Sequence, residues 1–438
     1  MLLRSLPRMS RPHAARELSV WALMAVPTGV LSGGVAGVLV NTVFESRAPV
    51  WAVAVAVALL TGAGPLSNMA SLGWAHFSLG REKIGALNRL QLGFAAALAA
   101  AALVPVNLPG LVAFVAAILA AQTLWCGIIT IRASVWRLNY DRAARFAFAA
   151  DNQAIVSLIH AITAALTGWL IEGNPALFRW LLGLTSLAAV ASLFRLRPLR
   201  VRRQRRLLEA ERRQAGDGPF RLGRYFSILR DDLLYRRYMI CTMVLGSGNL
   251  MYPAPLILTM NRELGMTSFS QVLVTAALPT LMVPFSARYW ARTLAREHVI
   301  GFRRRNSRWY AVAIAISFAG ILLGQEPVLW ASAVVLGSAI GGGMLGWSLG
   351  HNDFAPEDRV ADYLGLHVSL TGLRGLIAPL VGVWLYGTLD ALAPGSGHFA
   401  LLLPLTLTTA GAVGFALFKR GQSPFSPTAG KDGSEKGL

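Results

Sequence analysis

The fold class that the sequence predicts is an all-α integral membrane protein of twelve transmembrane helices arranged as two similar six-helix bundles. Three observations carry this expectation. Uncharged runs long enough to cross a bilayer recur along the whole chain, basic residues crowd every second connection between them, and landmarks in the first half return about 215 residues later, as in 296 − 81 = 215. The composition agrees. The 438 residues are 55% hydrophobic and only 14% charged, a balance that a water-soluble domain does not need.

A spanning helix requires about 20 mostly apolar residues. Taken in order, the first half supplies runs at 18–44, 50–77, 84–103, 111–131, 146–171 and 176–194, rich in Ala, Leu, Gly and Val. The second half supplies 238–261, 269–288, 309–324, 327–350, 361–389 and 398–418. The chain therefore divides into an N-terminal segment (1–17), a first bundle (18–194), a basic linker (195–237), a second bundle (238–418) and a tail (419–438) rich in Gly, Ser, Pro and Lys that reads as disordered. The first run is long enough to span and lacks the short apolar region and small-residue site of a cleavable signal, so it is expected to persist. Cys126 and Cys241 fall inside predicted helices and imply no disulfide framework.

The formal charge of +20 would suggest nucleic acid in a soluble protein, but its placement decides otherwise. Arg4, Arg8, Arg11 and Arg16 precede helix 1; Arg81, Lys83 and Arg89 follow helix 2; Arg132, Arg137, Arg142 and Arg145 follow helix 4. The linker is crowded from Arg195 to Arg237, loop 8–9 from Arg288 to Arg308, and Lys419 and Arg420 close the series. Under the positive-inside rule both termini are cytoplasmic, and an odd helix count would break the alternation. Arginine outnumbers lysine and alanine is abundant, which points to a bacterial source and so to the inner membrane. The linker arginines could also attract anionic membrane lipid.

The repeat is read from several places. Trp74-Ala75 followed by Arg81-Glu82-Lys83 returns as Trp290-Ala291 followed by Arg296-Glu297-His298. Asp141-Arg142 returns as Asp358-Arg359, and Gly168-Trp169-Leu170 as Gly382-Val383-Trp384-Leu385. An offset of six helices preserves orientation, so the halves are parallel repeats about an axis along the membrane normal, an arrangement of transporters.

On these features the chain resembles the major facilitator superfamily over residues 15–420. The family's signature between helices 2 and 3 is partly present as Gly73, Gly80, Arg81 and Lys83, with Phe77 where the family usually carries Asp. Helix 4 lacks the arginine of proton-coupled members and helix 5 lacks the Gly-Pro antiporter signature, although Gly375-x-x-x-Pro379-x-x-Gly382 stands on helix 11. The run His351-Asn-Asp-Phe with Leu370-Thr-Gly-Leu-Arg-Gly is similar to a poorly characterised bacterial branch. The resemblance implies a monomeric secondary transporter of a small-molecule substrate working by alternating access, with a coupling proton or ion left open. It also implies a closed-state contact between the helix 2–3 loop and helix 11. Here that contact would pair Arg81 or Lys83 with Asp358 or Asp362, and by the two-fold Arg296 with Asp141 or Asp151.

A charge near the bilayer centre normally faces a cavity or a partner. Arg374 lies mid-helix 11 with Thr371 and His367 on one face, and its fork suits a carboxylate, phosphate or sulfate. This predicts an anionic or zwitterionic solute. His160, at the pseudo-equivalent depth of helix 5, has Gln153 and Ser157 on its face and could hold a proton or simply pack in the core. Both are expected to face the space between the halves. Asn249 and Tyr252 precede Pro253 and Pro255 on helix 7, where missing backbone donors can break a helix beside a cavity. The Gly341-Gly342-Gly343 run on helix 10 and Gly29, Gly33 and Gly37 on helix 1 permit close packing. No Asp or Glu occupies a predicted helix centre, which disfavours a carboxylate proton relay. No metal-ligand spacing, nucleotide loop or nucleophile triad is present, so no cofactor, metal or enzymatic activity is expected. Two other functions stay open: a lipid or hydrophobic-compound translocator of the same fold, and a sensor or assembly factor that has lost transport.

Overall fold

The computed structural model describes residues 11–214, 222–356 and 359–418, and all regular structure in them is helical. Ten helices are each long and apolar enough to span, and two further spans are bent pairs. In chain order the first bundle holds α1 (Pro12–Val30 and Gly33–Phe44), α2 (Val50–Thr61 and Ala63–Ser78), α3 (Lys83–Ala102), α4 (Leu108–Asn139), α5 (Phe148–Gly173) and α6 (Pro175–Leu196). The second holds α7 (Leu233–Arg262), α8 (Ser268–Arg296), α9 (Val299–Leu323), α10 (Glu326–Asp353), α11 (Asp362–Leu392) and α12 (Gly397–Ala416). Between them a linker helix covers Gln204–Gln214. The helices turn large apolar side chains outward, with Leu103 82% and Trp180 72% exposed, a surface that only lipid can cover.

The bends fall where backbones touch. Pro27 sits one turn before the α1 break of 45°, and a Cβ on Gly33 would lie 2.6 Å from the Thr61 carbonyl oxygen of α2. The α2 break of 59° follows at Gly62, where a Cβ would lie 2.0 Å from the Gly375 carbonyl oxygen of α11. Gly375 therefore serves contact between the halves. The prolines of α7 interrupt its helix at Tyr252, between Leu233–Met251 and Pro253–Arg262, while the 30 residues still run as one span.

The two halves repeat in three dimensions. Trp74 packs on Gly127 of α4 and Trp290 packs on Gly342 of α10, at offsets of 290 − 74 = 216 and 342 − 127 = 215. Hydrogen bonds join the halves at the end away from the termini. Asn261 donates to Glu45 at 2.6 Å, the Phe269 amide donates to Glu172 at 3.0 Å, and the Thr42 and Ser268 hydroxyls meet at 2.9 Å.

Two helices are longer than expected at the opposite, basic end. The run expected to begin at 309 begins at Val299, and the one expected to end at 288 reaches Arg296. The arginines assigned to a loop find partners on helices instead. Arg304 donates to the Phe415 and Phe418 carbonyls and Arg305 pairs with Glu297 at 2.7 Å, while Arg303 turns into the bundle and is 5% exposed. Such partners let charged turns extend an apolar span.

Candidate functional site

Helices α7, α8, α9, α10 and α11 of the second bundle line a partly open cavity of about 310 Å³. Its polar wall includes Thr242, Asn249, Tyr310, Trp347, Thr371, Arg303 and Arg374; Leu245, Leu250, Ile314, Leu336 and Ile340 supply the apolar wall. The glycines of α10 make room for this lining. A Cβ on Gly343 would lie 2.0 Å from the Tyr310 hydroxyl oxygen, and one on Gly346 would lie 3.0 Å from the Arg303 guanidinium carbon. The Gly341-Gly342-Gly343 run thus admits side chains of α8 and α9 as well as close backbone packing.

Arg374 is 6% exposed and is held by neutral groups. One Nη donates to the Thr242 carbonyl and the other to Thr371 Oγ1 at 2.9 Å. Thr371 in turn donates to the His367 carbonyl at 2.8 Å and accepts from Trp347 Nε1 at 3.3 Å. Glycine at 246 makes room for this hold, because a Cβ there would lie 1.7 Å from an Arg374 nitrogen and the guanidinium would have to shift. The Nε atoms of Arg303 and Arg374 and Nε2 of His367 are buried with no hydrogen-bond partner. Among the described residues no carboxylate stands within ion-pair reach of either guanidinium. Buried charges are ordinarily paired, so the cavity has an uncompensated positive wall.

The expected site residues divide. Arg374, Thr371, Asn249 and Tyr252 line the cavity, and His367 lies beside it with its ring 5.8 Å from that of Trp347. Asn249 accepts from Thr408 at 3.3 Å. His160 is not part of this lining. Its Nε2 lies 2.8 Å from the Thr28 hydroxyl of α1, inside the first bundle, where Gly29 lets the two helices approach. Exposed Gln153 donates to buried Ser157 at 3.0 Å on the same helix. His160 and Arg374 are thus each hydrogen-bonded within their own bundle.

The expected pairing at the basic end also takes another form. Lys83 donates to Glu211 of the linker helix at 2.7 Å and to the Ser78 carbonyl at 2.6 Å. Glu211 also accepts the Gly80 amide at 2.9 Å, in a turn where Gly80 has φ 64°, a conformation that favours glycine. Arg81 lies over the Phe77 ring, 4.1 Å from its centroid. Asp362 lies 3.9 Å from Arg359 on its own helix, and Asp358 falls outside the described residues. Asp141 caps its helix by accepting the Ala144 amide at 2.8 Å, Arg296 lines a surface recess with Glu297 and Arg305, and Asp151 is half-buried on α5.

Two charged residues in this interior escaped sequence reasoning. Arg303 was placed in a loop, although its neighbours Phe302 and Tyr310 at helical spacing carried the signal. Glu17, expected in the N-terminal segment, is 1% exposed in α1 and accepts from Trp136 Nε1 at 2.6 Å and the Tyr140 hydroxyl at 2.8 Å. Trp21, four residues on, marked the helical face that buries it.

Solved structures share this architecture. A D-xylose–proton symporter matches with a TM-score of 0.68 at 14% identity, covering 92% of this chain and 97% of that one. A nucleoside transporter matches at 0.65 and 14%, covering 92% and 100%. The xylose transporter XylE from E. coli in an inward open conformation matches at 0.67 and 12%, covering 94% and 97%. The xylose symporter is a major facilitator superfamily protein. No family model and none of the curated proteins matches the chain.

Proposed function

On the premise that this chain has the major facilitator fold, we propose that it is a secondary transporter moving a small anionic or zwitterionic solute across the bacterial inner membrane by alternating access. The observation that carries this reading is Arg374, a buried guanidinium with only neutral partners at a cavity inside one of two parallel repeats. With both termini cytoplasmic, the hydrogen bonds from Asn261 to Glu45 and from Phe269 to Glu172 lie at the outer end and support a state closed to the outside. Rocking of the halves would exchange that closure for one at the basic end. His160, bonded to Thr28 at the junction of α1 and α5, is the candidate for a coupling proton.

Uptake of labelled organic anions into proteoliposomes tests the proposal. Saturable uptake by the wild type that falls at least about tenfold in Arg374→Lys is expected, because the planar fork and its two-point hold are lost. Lipid scrambling without solute uptake would replace this reading by the lipid translocator. Neither activity would leave the sensor.

A further inference from the structure

We infer that the cavity of the second bundle is a site for a small organic dianion, whose doubly negative head is held by Arg303 and Arg374 together. The inference names the substrate class of the proposed transporter and rests on that reading only for the ligand's fate, since binding can be measured without transport.

Charge comes first. Both arginines are at least nine-tenths buried, at 5% and 6% exposure, and both line one cavity. Two Nη atoms of Arg374 are occupied by Thr242 and Thr371, while its Nε and that of Arg303 have no partner. An arginine cannot relieve a buried charge by losing its proton, as a lysine can. Two guanidinium groups therefore call for two negative charges. Among the described residues no carboxylate supplies either of them. A phosphomonoester or a dicarboxylate does, with oxygens that accept the remaining N–H groups.

Shape comes second. Along α9 the lining runs from Arg303 through Tyr310 to Ile314, and along α10 from Trp347 through Gly343 to Leu336. Eleven residues of helix span ~16 Å, so Arg303 and Trp347 lie toward the basic end of the cavity and Ile314 and Leu336 toward the other. A volume of about 310 Å³ accommodates a small molecule with a charged head and a compact apolar body rather than a lipid. Tyr310 and Trp347 also line the cavity.

The test uses the purified full chain and four probes in calorimetry and thermal unfolding: phenyl phosphate, succinate, acetate and glycerol. Both dianions are expected to bind at least about tenfold more tightly than acetate, and glycerol to give no heat. Phenyl phosphate exceeding succinate would identify a phosphoryl head with an apolar body, and the reverse order a dicarboxylate. Arg303→Gln and Arg374→Gln should each abolish the preference for dianion over acetate. Without ligand, Arg303→Met should unfold at the same or a higher temperature than the wild type, because an uncompensated buried charge is removed. Equal affinity for acetate and the dianions, an unchanged preference in Arg303→Gln, or a marked loss of stability in ligand-free Arg303→Met would overturn the inference. Dianion binding without uptake into proteoliposomes would leave this inference standing and remove the transport reading. Uptake of a neutral solute with no dianion binding would do the reverse.

Discussion

Glu211→Gln tests whether the linker helix competes with α11 for Lys83, the lysine expected to take part in closing the basic end. The Lys83 side chain is 1% exposed and that of Glu211 13%, with Gly80 donating to the same carboxylate oxygen. Breaking a fully buried pair from one side costs about 3–5 kcal/mol, while an exposed pair is worth about 0–1. With one partner buried and the other slightly open, about 2–3 kcal/mol is the expected loss, a factor of roughly 30 to 150 in any equilibrium that depends on the pair. If the state seen here holds Lys83 on Glu211, the glutamine variant frees the ammonium for Asp362 of α11 and favours closure of the basic end. Spin labels on the α2–α3 connection and on α11 would report it through double electron–electron resonance. A larger short-distance population in the variant is expected, with membrane insertion unaltered. An unchanged distribution would refute competition and leave Glu211 as an anchor for the linker alone.

Other perturbations address the interior. Gly246→Ala places a methyl group 1.7 Å from an Arg374 nitrogen, so the guanidinium must leave Thr242, and anion affinity measured by calorimetry should fall at least about tenfold. Glu17→Gln replaces a carboxylate that accepts from Trp136 and Tyr140 and should lower stability by about 1–3 kcal/mol, read as an earlier unfolding transition in intrinsic fluorescence. At the start of α9, burial holds the His298 imidazole below its ordinary value, and its Nδ1 accepts the Ile300 amide at 3.2 Å. A folded-state pKa below the unfolded one means that the unfolded chain binds more protons, so stability here should fall as pH drops below about 6.5. The protection factor at the first turn of α9, hydrogen exchange corrected for its intrinsic pH dependence, should fall between pH 7.5 and 5.5, and an unchanged factor would assign the cap to Asp353, which accepts the Val299 amide at 2.7 Å.

The span count was legible because bilayer thickness imposes a run length that hydropathy reports directly. The parallel repeat was legible because Trp74 and Trp290 recur with their glycines, a packing contact that tolerates few residue types. Arg374 was legible because a lone charge in an apolar run is too costly to leave facing lipid and so marks a cavity or a partner. Arg303 was not, since an arginine within a basic stretch looks topogenic until the helix is seen to begin at Val299 and turn it inward. The Lys83–Glu211 pair was illegible for a different reason. It joins residues 128 apart on elements whose contact no periodicity encodes, and the family resemblance pointed to α11 instead.

The places where the repeat holds and where it fails separate scaffold from site. At the basic end Glu17 accepts the Tyr140 hydroxyl at 2.8 Å, and in the second half Asp232 accepts the Tyr363 hydroxyl at 2.9 Å. The two acids are offset by 232 − 17 = 215, but their tyrosines are offset by 363 − 140 = 223 and stand at the ends of the non-equivalent helices α4 and α11, so the contact kept in both halves is the tryptophan–glycine one. At the same offset Arg374 corresponds to Ile159 (374 − 215 = 159), next to His160, and Arg303 to Asn88 (303 − 215 = 88), next to Arg89. On the proposed transport reading, Arg303 and Arg374 at one cavity suit an asymmetric solute, with its charged head seated in one bundle while the other bundle moves across it.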